Sequence, residues 1–148
     1  MNNSVALPAE TTASDGSMFG LLKAAEAIQE RIEAGLSPLG LSLPKFSVLN
    51  ELAGAREPDG LQLSELAARL SCVRSNITQL IDRLESDGLV KRAADPSDRR
   101  GVRASLTATG RERHASGAEV MQGLRMDFAA KVADSDLAAV DRILAALV

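Results

Sequence analysis

The sequence predicts a mainly α-helical fold carrying one small β-hairpin. Three observations predict it. Apolar residues recur three or four apart along most of the 148-residue chain, the spacing of helices with one buried face. Aromatic residues make up 2%, with no Trp and no Tyr, so a core must be built from Leu, Ile, Val and Ala, which favours packed helices. One stretch breaks the helical pattern: RAADPSDRRGVRASLT at 92–107, where strand-like alternation flanks a Pro- and Asp-rich turn.

The elements follow in order. MNNSVALPAETTASDGS lacks the basic and apolar regions of a signal peptide, and its small polar residues read as a disordered tail over 1–16. From Ser17, the residues Met18, Leu22, Ala25, Ile28, Ile32 and Leu36 trace a helical stripe, with Asp15 or Ser17 as its cap. SPLGLSLP breaks it. Ser42 caps a second helix with Pro44 in its first turn, and Phe46, Leu49, Leu52 and Ala53 form the buried face. GAREPDG is a loop. Leu61-Gln62-Leu63 alternates as one short strand, after which Ser64 caps the two-turn helix SELAARL. Ser71-Cys72-Val73 separates it from RSNITQLIDRLESDG, a helix with Ile77, Leu80, Ile81 and Leu84 on one face and Gly88 at its C-terminal end. Two short helices joined by about three residues form a helix-turn-helix candidate. LVKRAA and GVRASLT are the strands of the hairpin. Thr107 or Thr109 opens a long helix whose stripe is His114, Ala118, Met121, Leu124, Phe128 and Val132. Asp134 or Ser135 caps a last helix, with Leu137, Val140, Leu144 and Leu147 on one side.

Charge points toward a partner. The net charge is −3, yet residues 63–114 hold ten Lys/Arg against seven Asp/Glu, and residues 89–113 hold seven against three. Screening acts over about 8 Å at physiological salt, so the local excess matters more to a partner than the total. On the second helix of the pair, Arg74, Ser75, Asn76, Thr78, Gln79 and Asp82 lie off the apolar face or at its margin. Short hydrogen-bonding side chains and an arginine on one helix suit base edges and phosphates in a major groove; an ordinary solvated helix face would look similar. The hairpin tips the balance. Arg99 and Arg100 at its tip and Arg103 on the returning strand suit an electronegative minor groove, and Asp98 could hold one guanidinium by an ion pair.

LQLSELAARL, RSNITQLIDRLESDGLVKR and above all DPSDRRGVRASLTATGRE resemble the winged helix-turn-helix of MarR-type (multiple antibiotic resistance) transcription regulators. The resemblance covers about residues 17–148. It implies a winged helix-turn-helix over 41–107, with helices 17–40 and 108–148 forming a homodimerisation region. It also implies double-stranded DNA as partner, a pseudo-palindromic operator, and release by a small phenolic, lipophilic or oxidising effector. The matched positions put Arg74, Ser75, Asn76, Thr78 and Gln79 on the recognition helix. Arg100 matches the wing arginine, Asp98 its orienting acid, and Ser64 a position near the DNA backbone. Three residues depart from the pattern: Ser71 stands where a turn glycine is common, Val73 where a capping Ser or Thr is common, and Lys45 where a Gln or Glu often completes a capping box.

Other positions have blander readings. Cys72, the one cysteine, reads as a buried small hydrophobe rather than an oxidation sensor. Phe46 and His114 are the candidate effector contacts, although a structural hydrogen bond is the stronger expectation for His114. No catalytic constellation, metal-ligand spacing, phosphate-binding loop or 18-residue apolar run is present in the sequence, so neither an enzyme nor a cofactor nor a membrane partner is expected. One free cysteine fits a reducing cytoplasm. The alternative function is a winged-helix module that binds protein partners; such a module has no need of arginines at the wing tip.

Overall fold

The computed structural model describes residues 13–55 and 60–147. Helix α1 spans Ala13–Leu36. Residues 13–16 of the expected tail are therefore helical, and Asp15 and Ser17 stand inside the helix rather than capping it; positions 1–12 lie outside the described residues. A short 3-10 turn at Ser37–Leu39 ends on Gly40, whose φ of 67° is left-handed.

Helix α2 (Leu43–Ala53) begins as its sequence predicts: Ser42 Oγ accepts the Lys45 backbone N–H at 3.4 Å, with Pro44 in the first turn. A second cap comes from another helix. Glu33 Oε1 on α1 accepts the Leu43 N–H at 3.0 Å. Lys45, standing where a capping-box acid is common, instead reaches Asp87 at the end of a later helix, 2.7 Å away. Phe46, Val48, Leu49 and Leu52 are buried. Ala53, expected on that face, is exposed, because the last turn of α2 overhangs an open cleft that Ala53 helps to line.

Strand β1 (Leu61–Gln62) runs straight into α3 (Leu63–Arg69). Gln62, in extended conformation, takes the cap position without a side-chain bond to the backbone N–H groups of the first turn. Ser64 is too late in the chain to cap; it lies in the first turn with its hydroxyl on Gln62 Oε1 at 3.3 Å. After α3 the chain makes a Schellman turn: Ser71 N–H donates to Ala68 C=O (3.2 Å) and Cys72 N–H to Ala67 C=O (2.9 Å). Ser71 holds φ 49°, a conformation that favours glycine. Cys72 follows, half-buried against the core.

Helix α4 spans Arg74–Ser86 and buries Ile77, Ile81 and Leu84. Its end is a second Schellman turn, with Gly88 at φ 73° and the Leu89 N–H on Leu84 C=O at 2.9 Å. Both partners of that last bond are buried leucines, the apolar contact that accompanies this motif. Strands β2 (Val90–Ala94) and β3 (Val102–Leu106) form the hairpin. The antiparallel sheet has the order β1-β3-β2, with Val90 opposite Leu106 and Leu61 opposite Ala104. β2 is an edge strand, and its Lys91 and Arg92 keep that edge charged.

Helix α5 (Ala108–Lys131) is capped by Thr107, whose Oγ1 accepts the Gly110 N–H at 2.9 Å and donates to Gly88 C=O at 2.7 Å. Gly110 lets this helix start touch the chain beside α4. A Cβ there would sit 1.9 Å from the Leu89 carbonyl oxygen. The Leu-Thr-x-x-Gly run thus has a local physical cause. Helix α6 (Asp134–Leu147) begins at Asp134, so Asp134 and Ser135 occupy its first turn instead of capping it; Ala133 C=O accepts the Asp136 and Leu137 N–H groups.

The core is a single cluster of buried residues built around Leu36, Val48, Leu49, Leu66, Ile77, Ile81 and Leu84. It lies among α1 to α4 and the sheet. Beyond it the apolar stripes continue without cover: Met18, Phe19 and Leu22 on α1, Met126 and Phe128 on α5, and Leu144 and Leu147 on α6 are exposed. Among the described residues no helix is long and apolar enough to cross a membrane.

Candidate nucleic-acid interface

Helix α4 presents its outer face through the burial of its inner one. With Ile77, Ile81 and Leu84 locked inward, Arg74, Ser75, Asn76, Gln79 and Asp82 are exposed. Thr78 is half-buried, and its hydroxyl donates to Arg74 C=O at 3.0 Å, which leaves its methyl and oxygen lone pairs as the accessible parts. The helix start carries no side-chain cap. Val73 sits in the cap position in extended conformation and is 64% exposed. Its carbonyl accepts the Asn76 and Ile77 N–H groups, which leaves the Arg74 and Ser75 N–H groups at the helix start as the ones an anion can meet.

Arg92 on β2 fixes the hairpin to this helix. Its Nη1 lies 2.7 Å from Asp82 Oδ1 and its Nη2 2.6 Å from Glu85 Oε2. Hydrogen bonding to Glu85, then to Asp82, raises the guanidinium pKa above its ordinary value. Arg92 also lines a groove shared with Arg99, Arg100 and Val102. The helix face and the hairpin tip are therefore neighbours, bridged by one residue.

The tip is a tight turn. Gly101 N–H donates to Asp98 C=O at 2.8 Å, and Asp95 N–H donates to Gly101 C=O at 3.0 Å. Arg99 and Arg100 occupy its two central positions and are exposed. Asp98 is arranged differently from the expectation. Its Oδ1 accepts the Arg100 backbone N–H at 2.9 Å, so it shapes the turn and does not hold a guanidinium. The acid with an arginine in its grip is Asp95. It is buried, with its Oδ2 accepting Arg103 Nε at 3.0 Å.

Arg103, expected beside the tip arginines, turns the other way. Its side chain is 15% exposed, and Nη1 donates to Gly60 C=O at 2.9 Å. The physical reason is register. Arg103 lies opposite Gln62 on β1, on the face of β3 away from the core residues Ala104 and Leu106, where Asp95 and the Gly60 carbonyl draw it back from the tip. Ser64 is exposed at the start of α3, joined to the tip end of the hairpin through Gln62. Of the residues that the sequence singles out, the structure brings together Arg74, Ser75, Asn76, Gln79, Arg99 and Arg100 as exposed groups on α4 and the hairpin tip. Asp95, Gln62 and Arg92, which tie the hairpin to the neighbouring helices and strand, are positions that the sequence does not single out. The Asp-Pro-Ser run is a usable signal for Asp95, since aspartate commonly bonds its own chain two residues on.

Phe46 and His114 form one unit. Their rings stack, with centroids 5.7 Å apart and planes 9° from parallel, and His114 Nε2 lies 3.2 Å from Asn50 Oδ1. Burial lowers the His114 pKa below its ordinary value, which favours the neutral ring. His114 also reaches a cleft of about 630 Å³ between the end of α2, the hairpin strands and α5, lined in addition by Leu106, Lys91 and Arg111. Phe46 lies behind it in the core.

Residues 41–102 match the sequence model of the MarR family. Over 91 residues the chain is 36% identical to the HTH-type transcriptional repressor Rv2887 of Mycobacterium tuberculosis, a match covering 62% of this chain and 63% of that protein. The chain thus spans less than two thirds of the length of that curated relative. Among solved structures, AbsC of Streptomyces coelicolor, a MarR family transcriptional regulator, superposes with a TM-score of 0.81 at 28% identity, covering 91% of this chain and 92% of AbsC. A mutant of Escherichia coli MarR, solved with operator DNA, gives a TM-score of 0.77 at 24% identity over 92% and 94% of the two chains and shares the fold. The element order, the helix-turn-helix with its hairpin and these likenesses agree: residues 41–102 form a winged helix-turn-helix that matches the MarR family, and the fold around it is similar to that of MarR-family structures.

Proposed function

We propose that the protein is a homodimeric, sequence-specific DNA-binding transcription regulator, acting as an effector-responsive repressor. The observation that carries this reading is the pairing of two exposed surfaces bridged by Arg92: the polar outer face of α4 and the Arg99–Arg100 tip. A helix of this kind reads base edges in a major groove, and a doubly cationic tip suits the adjacent minor groove. Arg74, Asn76 and Gln79 are the proposed base readers, because Arg pairs with guanine and Asn or Gln with adenine. Ser64, Ser75 and Thr78 are assigned to backbone or methyl contacts. Winged domain 41–107 does the reading, and helices 17–40 and 108–148 join the two copies. The uncovered apolar stripes of α1, α5 and α6 support the pairing, as does the two-fold symmetry that a palindromic site demands. The cleft beside His114, with Lys91 and Arg111 on its wall, is the proposed place for a small-molecule effector, and Phe46 supports it through the stacked ring.

Selection from a pool of random duplexes tests the reading. The expected product is a pseudo-palindrome with half-site centres about 10 base pairs apart. Inserting about five base pairs between the halves, half a helical turn, should abolish specific binding, and affinity should fall steeply with added salt. Gln79→Ala or Asn76→Ala should cost about 1–3 kcal/mol on the selected site and much less on random DNA. Failure to enrich any sequence, with salt-insensitive binding, would overturn the proposal in favour of a protein-binding module.

A further inference from the structure

We infer that Asp95 is the positioning residue of the wing: through a buried four-donor network it sets the angle at which Arg99 and Arg100 are presented. The inference rests on the DNA-binding reading above. Asp95 is the one buried charged residue among those described, 4% exposed. A buried carboxylate is retained only where donors replace its water. Here they come from three places. Ser97 supplies its N–H at 2.8 Å and its hydroxyl at 2.7 Å, both to Oδ1. Arg103 on β3 supplies Nε to Oδ2, and Gln62 on β1 supplies Nε2 to the same oxygen.

Each donor ties the tip to something rigid. The Ser97 bonds fold the chain back directly after Pro96. The Arg103 bond continues to Gly60 C=O, and Gly60 lies so close to β3 that a Cβ would meet the Ala104 oxygen at 1.9 Å. Gln62 is the cap residue of α3, so that bond links the tip to the first helix of the helix-turn-helix. The Asp95 backbone closes the loop on Gly101, and a Cβ at Gly101 would sit 2.9 Å from the Asp95 Cβ. The turn carrying the two arginines therefore rests directly on Asp95. A cationic tip held at one angle binds without first losing its own freedom, whereas a loose tip loses affinity in ordering itself.

A double-mutant cycle tests this, with anisotropy on the selected operator for the dimer of the full chain. Asp95→Asn should weaken binding by about tenfold in the otherwise native protein. In an Arg99→Ala/Arg100→Ala background the same change should weaken it by less than about twofold, because nothing is left to position. Ser97→Ala, a milder change that leaves the Arg103 pair intact, should give a smaller loss with the same background dependence. Equal losses in both backgrounds, or none for either variant, would overturn the inference and leave Asp95 a purely structural group. Amide exchange without DNA gives a second readout. Asp95→Asn should speed exchange at the amides of position 95 and of Gly101 by at least about tenfold while α4 amides keep their protection. A uniform rise, or no rise, refutes positioning. If wild-type protein bound no DNA, the functional reading would fail while this exchange result still decided whether Asp95 holds the tip.

Discussion

The turn between α3 and α4 carries two local misfits that should be correctable. Ser71 holds φ 49° at a Schellman position, and a side chain in that region costs about 1–2 kcal/mol. Glycine would remove the conflict but would give the unfolded chain about 0.5–1 kcal/mol of extra freedom. The net gain from Ser71→Gly is about 0.5–1 kcal/mol. Two residues on, Val73 occupies the cap position of α4 with no side-chain acceptor and with most of its surface in water. Val73→Ser forfeits little burial and supplies an oxygen to the first-turn N–H groups, about 1 kcal/mol by analogy with other caps. Together the changes should add about 1.5–2 kcal/mol, which for a chain of this size is a rise of about 3–8 °C in Tm. Differential scanning calorimetry at one fixed protein concentration is the assay, because the Tm of the proposed dimer would depend on concentration. A lower Tm for Ser71→Gly would refute the left-handed turn. An unchanged Tm for Val73→Ser would show that the first-turn N–H groups already have acceptors.

Gly110→Ala should do the opposite: its Cβ would fall 1.9 Å from a backbone oxygen that no side-chain movement can relieve, so a loss of at least about 2–3 kcal/mol is expected, visible as a denaturation midpoint well below wild type. His114 should make stability depend on pH. Its folded pKa lies below the ordinary 6.5 because of burial, so the unfolded chain takes up the proton first as pH falls, and stability drops below about pH 6.5 while staying flat above it. His114→Phe keeps a ring against Phe46 and should remove that slope between about pH 7 and 5; equal slopes in both proteins would show that carboxylates alone set the acid sensitivity.

The order of elements is legible in the sequence because it follows from local signals: period, caps and breakers. Thr107 and Gly110 can be read together, and the structure supplies the reason in the contact with Leu89. What escapes depends on contacts between distant segments. Ser64 looks like a cap, but the strand running into α3 hands that position to Gln62. Helix α1 starts at Ala13, ahead of the stripe, since small polar residues in a first turn carry no periodic signal. Asp95 and Asp98 each bond the chain two residues on, so the Asp-Pro-Ser signal marks a turn, and only closure of the hairpin decides which of the two is buried. Arg103 is drawn away from the tip because β1, far upstream in the chain, docks against β3 and brings the Gly60 carbonyl within reach, a pairing that the β3 sequence cannot reveal.

Those same contacts explain how an acidic protein keeps a cationic finger. Residues 89–113 hold seven basic groups, but most are spoken for. Arg92 is bound to Asp82 and Glu85, Arg103 to Asp95, Arg111 to Leu106 C=O and Arg113 to Leu39 C=O. The tip arginines, Arg99 and Arg100, share one exposed turn. Asp98, beside them in the chain, spends an oxygen on the Arg100 backbone, and Asp95 is buried among its own donors. The folded chain thus uses its acids to fix the frame and leaves the tip charges facing outward. With screening over about 8 Å, a polyanion approaching the tip would meet those two guanidinium groups before it sensed the excess acid carried elsewhere in the chain. Under the proposed DNA-binding function, the wing end would attract a phosphate backbone while the acidic remainder would repel it, so charge alone would favour one docking orientation before any base is read.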